Sequence, residues 1–251
     1  MVRVEWRERV VVVTLDRPER RNAVDHATLL ELRAAQNEAV AGGARVVVLT
    51  GAPPAFCAGA DLTGVESGEF LGALTEVLLG FTSMPIVTIA AISGAALGAG
   101  TQLAVACDLR VATATSQFGV PAAKLGLAVD RFTVNRLAQE FGASVARSML
   151  LTAETYSAER LHLSGGVHRL GELDDALGWA DEIASLAPLT IAAHKVALEG
   201  LGEPLGALDS LSSIEVVSAI EMARRAAWAS VDAEEGRTAF LAKRRPEFTG
   251  H

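Results

Sequence analysis

Apolar residues arrive along this chain in two rhythms. The first is a set of short β-branched runs: Val10-Val11-Val12-Val13-Thr14-Leu15, Val46-Val47-Val48-Leu49-Thr50 and Ile86-Val87-Thr88-Ile89-Ala90. Each predicts a strand, and turn residues break the chain after the first at Asp16-Arg17-Pro18. Shorter signals follow at 108–112, a strand, and at 117–121, extended or turning. The second rhythm has helical spacing. Asp25 predicts an N-cap before Leu29, Leu30, Leu32 and Ala35. Phe70, Leu71, Leu74, Val77 and Leu78 predict a helix within 62–83, whose apolar side either roofs a ligand pocket or faces the core. Helical spacing dominates from Thr133 onward. Gly142 ends one helix, Ser157 starts another, 172–187 is amphipathic, and Pro188 suits a first turn. Near the end, Asp232 and Glu235 have capping-box spacing, Lys243, Arg244 and Arg245 fall in a last turn, and Pro246 stops it. Strands alternating with helices argue an α/β fold. No low-complexity linker or fixed-period repeat interrupts the chain, which predicts a packed C-terminal appendage rather than an independent module.

Composition narrows the class without naming a function. The chain has 251 residues, half of them hydrophobic, enough for a large core with an appendage. A net charge of −8 and no dense Lys/Arg face disfavour a nucleic-acid binder. That charge reads as solubility and leaves room for a local basic pocket. Two cysteines, Cys57 and Cys107, form no disulfide framework and point to a reducing compartment. The opening Met1-Val2-Arg3-Val4-Glu5-Trp6-Arg7-Glu8 lacks a signal-peptide layout, and glycines and a proline interrupt the apolar stretch 85–107. The expectation is a soluble cytoplasmic protein.

Two Gly/Ala-rich turns carry the candidate chemistry. They are Ala55-Phe56-Cys57-Ala58-Gly59-Ala60-Asp61-Leu62 and Ser93-Gly94-Ala95-Ala96-Leu97-Gly98-Ala99-Gly100-Thr101-Gln102, each following a β-branched run. Small residues there let a ligand approach the backbone. The second turn opens a helix, whose free N–H groups can point at negative charge. Two amide clusters converging on one carbonyl oxygen would make an oxyanion hole, which suggests thioester binding or chemistry. Tight-turn packing is the rival reading for such small residues, and Asp61 is either a ligand contact or a helix cap. Other chemistries find little support. His26, His162, His168, His194 and His251 have no metal-binding spacing. No Gly-x-Gly-x-x-Gly follows a strand. Cys57 reads as a small buried hydrophobe before it reads as a nucleophile.

The order and spacing of several motifs resemble the enoyl-CoA hydratase/isomerase (crotonase) family over almost the whole chain. The carriers are Arg17-Pro18-Glu19-Arg20-Arg21-Asn22-Ala23, Phe56-Cys57-Ala58-Gly59-Ala60-Asp61-Leu62, the turn from Gly94 to Gly100, Cys107-Asp108-Leu109-Arg110-Val111-Ala112, and the ending from Asp232 to Arg244. The resemblance implies a ClpP-like spiral core of ββα turns over 1–190 that binds a CoA thioester. It implies a helical region over 191–251 that assembles a homotrimer or hexamer. By the same resemblance Ala60 and Ala99 supply the oxyanion-hole amides, and Ala58 lies beside the adenine or pantetheine arm. Asp61 and Leu62 adjoin the ligand, and Lys243, often from a neighbouring subunit, meets a CoA phosphate. No metal and no tightly bound cofactor are expected. The ligand is an acyl- or enoyl-CoA in fatty-acid or other lipid metabolism, where a protein partner would also act.

Two positions depart from the family pattern. Its hydratases place two glutamates around the substrate double bond, and the corresponding residues here are Gln102 and Ala122. A glutamine donates and accepts hydrogen bonds but shuttles no proton near neutral pH. Positioned acid–base groups contribute about 10²–10⁴-fold each, whereas an oxyanion hole made of backbone amides needs neither side chain. The expectation is a thioester binder with weak or absent hydratase activity. The alternative is an active isomerase or hydratase-type enzyme with Asp130 as acid and base. Asp130 also stands as an N-cap before Phe132, Val134 and Leu137.

Overall fold

The structure is a computed structural model that describes residues 1–61, 68–200 and 211–251, with no side-chain description for 211–216. It divides into two compact units, Met1–Ala180 and Asp181–His251.

The first unit is organised around a sheet of β1 (Val2–Arg7), β2 (Val10–Leu15), β3 (Val46–Gly51), β4 (Val87–Ile92), β6 (Leu109–Ala112) and β9 (Arg169–Leu170), in that order. The β1–β2 pair is antiparallel and the rest are parallel. Strand β2 is buried along its whole length, and β3 and β4 nearly so. Burial on both faces explains why they read as continuous apolar runs rather than alternating ones. A smaller sheet of β5 (Ala95–Leu97), β7 (Gln117–Gly119) and β8 (Thr155–Ser157) forms a second layer. Isolated bridges extend that layer, Cys57 pairing with Ala96 and Val24 with Ala60. The helices of this unit are α1 (His26–Ala41), α2 (Gly68–Ser83), α3 (Ala99–Ala106), α4 (Arg131–Phe141), α5 (Ala143–Thr152) and α6 (Ala158–Leu163), and α7 (Leu173–Ala184) runs on past its end.

The chain therefore repeats one step. It crosses the large sheet, touches the second layer, and then enters a helix: β3, Cys57 and α2; β4, β5 and α3; β6, β7 and α4. This is the spiral of ββα turns. Local chemistry sets several helix starts as expected. Asp25 Oδ1 accepts from Thr28 N–H at 2.8 Å, and Ser157 Oγ accepts from Arg160 N–H at 3.3 Å. Gly142, at φ 87°, ends α4. Asp108 orders the entry to β6 by accepting from both the N–H and the hydroxyl of Thr88 on β4, at 2.7 and 2.8 Å.

The second unit holds α8 (Pro188–Gly200), α9 (Leu211–Trp228) and α10 (Val231–Leu241). Pro188 opens α8, as its fixed φ favours. The sequence reading of α10 needs correction. Its N-cap is Ser230, whose side chain accepts from Ala233 N–H at 3.1 Å. Asp232, 2% exposed, accepts instead from Thr249 N–H and Gly250 N–H at 2.7 and 2.8 Å. Its partners lie far along the chain, so capping-box spacing described the wrong bond. The helix ends at Leu241, and Lys243, Arg244 and Arg245 lie beyond it. Lys243 has φ 53°, and Arg244 folds back to Glu235 at 2.6 and 2.7 Å. Strand β1 was not anticipated, although Val2-Arg3-Val4-Glu5-Trp6-Arg7 alternates; it is an edge strand and largely exposed.

Candidate functional site

A cavity of about 410 Å³ in the first unit gathers Ala58, Ala60, Ala99, Gln102, Ala122 and Asp130. These residues come from three successive steps of the spiral. The helix α2 adds Phe70, Leu71, Leu74 and Leu78 to the wall, and the half-exposed Leu125 and Leu127 add to the lining. The apolar stripe of α2 thus both lines the cavity and joins the core, since Phe70, Leu74 and Leu78 are also buried in the main cluster.

The first turn is fixed by hydrogen bonds to its neighbours. Cys57 N–H donates to Ala95 O at 3.0 Å, and Ala58 N–H to Arg21 O at 3.0 Å. Asp61 N–H donates to Val24 O at 2.8 Å, and Val24 N–H returns to Gly59 O at 2.9 Å. The second turn is fixed by Leu97 N–H to Cys57 O at 2.9 Å and Gly98 N–H to Gly119 O at 2.8 Å. Among the described residues, no hydrogen bond leaves Ala60 N–H or Ala99 N–H. The turns also abut. A Cβ on Gly98, itself at φ 52°, would lie 3.7 Å from Gly59 Cα. A Cβ on Gly100 would lie 2.2 Å from Cys57 O, so only glycine lets α3 sit this close to the first turn.

Two polar residues of the cavity wall, Gln102 and Asp130, each bond to Thr133 of α4. Gln102, 8% exposed, donates from Nε2 to Thr133 Oγ1 at 2.7 Å. Thr133 N–H donates to Asp130 Oδ1 at 2.9 Å, so Asp130 is the N-cap of α4. Ala122 contributes a methyl group and no polar atom. Asp61 is not in the lining; its Oδ2 faces Arg17 at 3.4 Å. Leu62 lies outside the described residues. Lys243 is exposed in the second unit. Burial pushes the Cys57 thiol up to about 12, which makes it a hydrophobe and not a nucleophile at neutral pH.

Three arginines matter more than the sequence reading allowed. Arg17 donates to Ala23 O at 2.7 Å and pairs with Asp25 at 3.0 Å as well as with Asp61, tying the first turn to the start of α1. Arg110, fully buried, donates to Gly166 O at 2.7 Å and Cys107 O at 2.9 Å, and pairs with Glu140 of α4. Arg136 of α4 donates to Val105 O of α3 at 3.0 Å. The available signal was Arg110 itself, a guanidinium inside an apolar strand that requires a partner. Among the described residues no cluster of ligating side chains could hold a metal ion, and no helix is long and apolar enough to cross a membrane.

A spiral of ββα turns carrying a cavity at its glycine-rich corners defines the crotonase class of folds. The family model for enoyl-CoA hydratase/isomerase matches residues 5–251. "Probable enoyl-CoA hydratase echA6" of Mycobacterium tuberculosis is 40% identical over 251 residues, covering 100% of both chains. "2,3-dehydroadipyl-CoA hydratase" of Escherichia coli is 32% identical and covers 98% of each. The crystal structure of enoyl-CoA hydratase EchA1 from Mycobacterium marinum superposes with a TM-score of 0.87 at 36% identity, covering 100% of this chain and 99% of that one. This chain belongs to the enoyl-CoA hydratase/isomerase family.

Proposed function

We propose that this chain binds acyl- and enoyl-CoA thioesters and hydrates them weakly or not at all. The observation that carries the reading is the pair of uncommitted amides, Ala60 N–H and Ala99 N–H, on the wall of one largely apolar cavity. A thioester carbonyl would accept from both, and the apolar lining would receive the acyl chain. Ala58 lies where the pantetheine or adenine arm would pass, with Asp61 and Leu62 three and four residues further along the chain. Proton transfer is the missing half. Gln102 and Ala122 occupy the positions that the family resemblance gives to glutamates, and neither side chain shuttles a proton at neutral pH. Asp130 caps α4 through Oδ1, and this structural role supports reading it without acid–base work.

The wider setting of this reading is fatty-acid or other lipid metabolism in the cytoplasm. The protein is a homotrimer or hexamer built through 191–251, with Lys243 of a neighbouring subunit meeting a CoA phosphate, and a protein of lipid metabolism is its partner.

Titration calorimetry with dodecanoyl-CoA, beside a crotonyl-CoA hydration assay, tests the core of this proposal. Binding without turnover is expected. The variant Ala99→Pro sharpens it, because proline suits the first position of α3 yet carries no N–H. It should fold and bind at least about tenfold more weakly, as for a lost hydrogen bond to a polarised carbonyl. Rapid hydration, or no thioester binding by the wild type, overturns the reading.

A further inference from the structure

We propose that Thr101, a side chain outside the cavity, is the positioning residue that aims Ala99 N–H, so that one buried hydroxyl sets how strongly the second turn polarises a bound carbonyl. The inference rests on the reading above, with the thioester carbonyl at Ala60 N–H and Ala99 N–H. Thr101 is fully buried, follows Ala99 by two residues on α3, and is not in the cavity lining. Its Oγ1 lies 2.5 Å from Ala96 O of β5 and 2.9 Å from Gly119 O of β7, and it accepts from Gly119 N–H at 3.0 Å. Gly119 O also accepts from Gly98 N–H at 2.8 Å.

These bonds enclose the amide. The hydroxyl joins Ala96 to Thr101 across the turn 97–100, and Gly119 holds both the residue just before Ala99 and the one two places after it. The Ala99 peptide is thus clamped from β7 on both sides while its own N–H stays uncommitted. A helical threonine ordinarily bonds a carbonyl three or four residues back on its own helix. Thr101 instead reaches a carbonyl five residues back, before the helix begins, and a strand eighteen residues on. Its one proton serves two carbonyls, and its oxygen serves Gly119 N–H. Replacing the hydroxyl with a methyl leaves those buried groups without this partner, and the turn shifts to relieve them. An amide donor polarises a carbonyl only from its set position, so the shift weakens the grip on the ligand.

The test is isotope-edited infrared spectroscopy of bound dodecanoyl-CoA, labelled with carbon-13 at the thioester carbonyl, beside calorimetric affinities for the wild type, Thr101→Val and Thr101→Ser. The wild type should lower the carbonyl frequency below that of the free ligand. Thr101→Val should lose about half or more of that shift and bind about tenfold more weakly. Thr101→Ser keeps the hydroxyl and should keep both the shift and the affinity. A Thr101→Val protein with a lower urea midpoint but an unchanged carbonyl frequency overturns the inference and leaves the proposed function standing. Equal losses in Thr101→Ser assign the effect to the missing methyl group and also overturn it. A wild type that binds no thioester, or binds it without a shift, overturns the proposed function as well. Should Thr101→Val not fold, Thr101→Cys replaces it, because a thiol is a weak donor and acceptor, and the same outcomes decide.

Discussion

Gly100 sets the distance between the two turns of the site. Because its Cβ would meet Cys57 O at 2.2 Å, Gly100→Ala must push α3 outward. A cost of roughly 1–3 kcal/mol is expected, read from the urea midpoint, together with weaker dodecanoyl-CoA binding. On the same wall, Gln102→Glu combined with Ala122→Glu should raise crotonyl-CoA hydration by about 10²-fold or more, since the amides need no rebuilding. No gain in steady-state rate would show that residues 102 and 122 do not stand at the reacting carbons. His168 supplies a pH signature. Partial desolvation of a residue that stays exposed to solvent, and then the Arg110 guanidinium, push its imidazole down from 6.5 to about 4, and its Nδ1 accepts from Arg110 N–H at 3.2 Å. Between these values the unfolded ring protonates while the folded one stays neutral, so stability falls as pH drops through that window. His168→Asn should flatten this part of the profile of urea midpoint against pH. Side-chain roles were legible where they are local. Asp25 and Ser157 cap helices through partners three residues away, and their patterns said so. Asp232 holds the backbone of Thr249 and Gly250, a long-range bond that no spacing rule encodes.

At the level of elements, α4 is held from behind by ionic contacts. Its Glu140 neutralises the buried Arg110 of β6, and its Arg136 reaches Val105 O on α3. Glu140→Leu leaves that guanidinium unpaired in the interior. It should destabilise the fold by about 3–5 kcal/mol by chemical denaturation, far more than a surface substitution. Since the first turn of α4 carries Asp130 and Thr133, the same variant should also loosen the Gln102 contact. Strands β2, β3 and β4 were legible because burial on both faces leaves an unmistakable apolar run. The edge strand β1 and the two-residue β9 were not read, because pairing and not composition makes them strands. The helix α2 was legible as a helix, but periodicity could not show that its one stripe serves both core and cavity.

For the whole molecule, the helices of the second unit expose Met222, Trp228, Phe240 and Leu241, each 67% or more accessible. Trp228 and Phe240, with Phe248, border a groove of about 740 Å³. So much apolar surface is unusual for a lone soluble chain. Sedimentation should therefore report a homo-oligomer, and Phe240→Glu with Leu241→Glu should shift it to smaller species. The fold class was legible from the strand–helix alternation, and its spiral form came through the family resemblance. The meeting of residues 58, 99, 122 and 130 around one void depends on turns of the spiral stacking in space.

The free amides of the two turns have an evolutionary consequence. Nineteen of the twenty encoded amino acids carry a main-chain N–H, so nearly every point mutation at positions 60 and 99 spares the donor itself. A lineage can thus discard its proton-transfer side chains one codon at a time and still grasp the same class of ester. In such a lineage, enzymes and retired enzymes would share ligands long after they had stopped sharing a reaction.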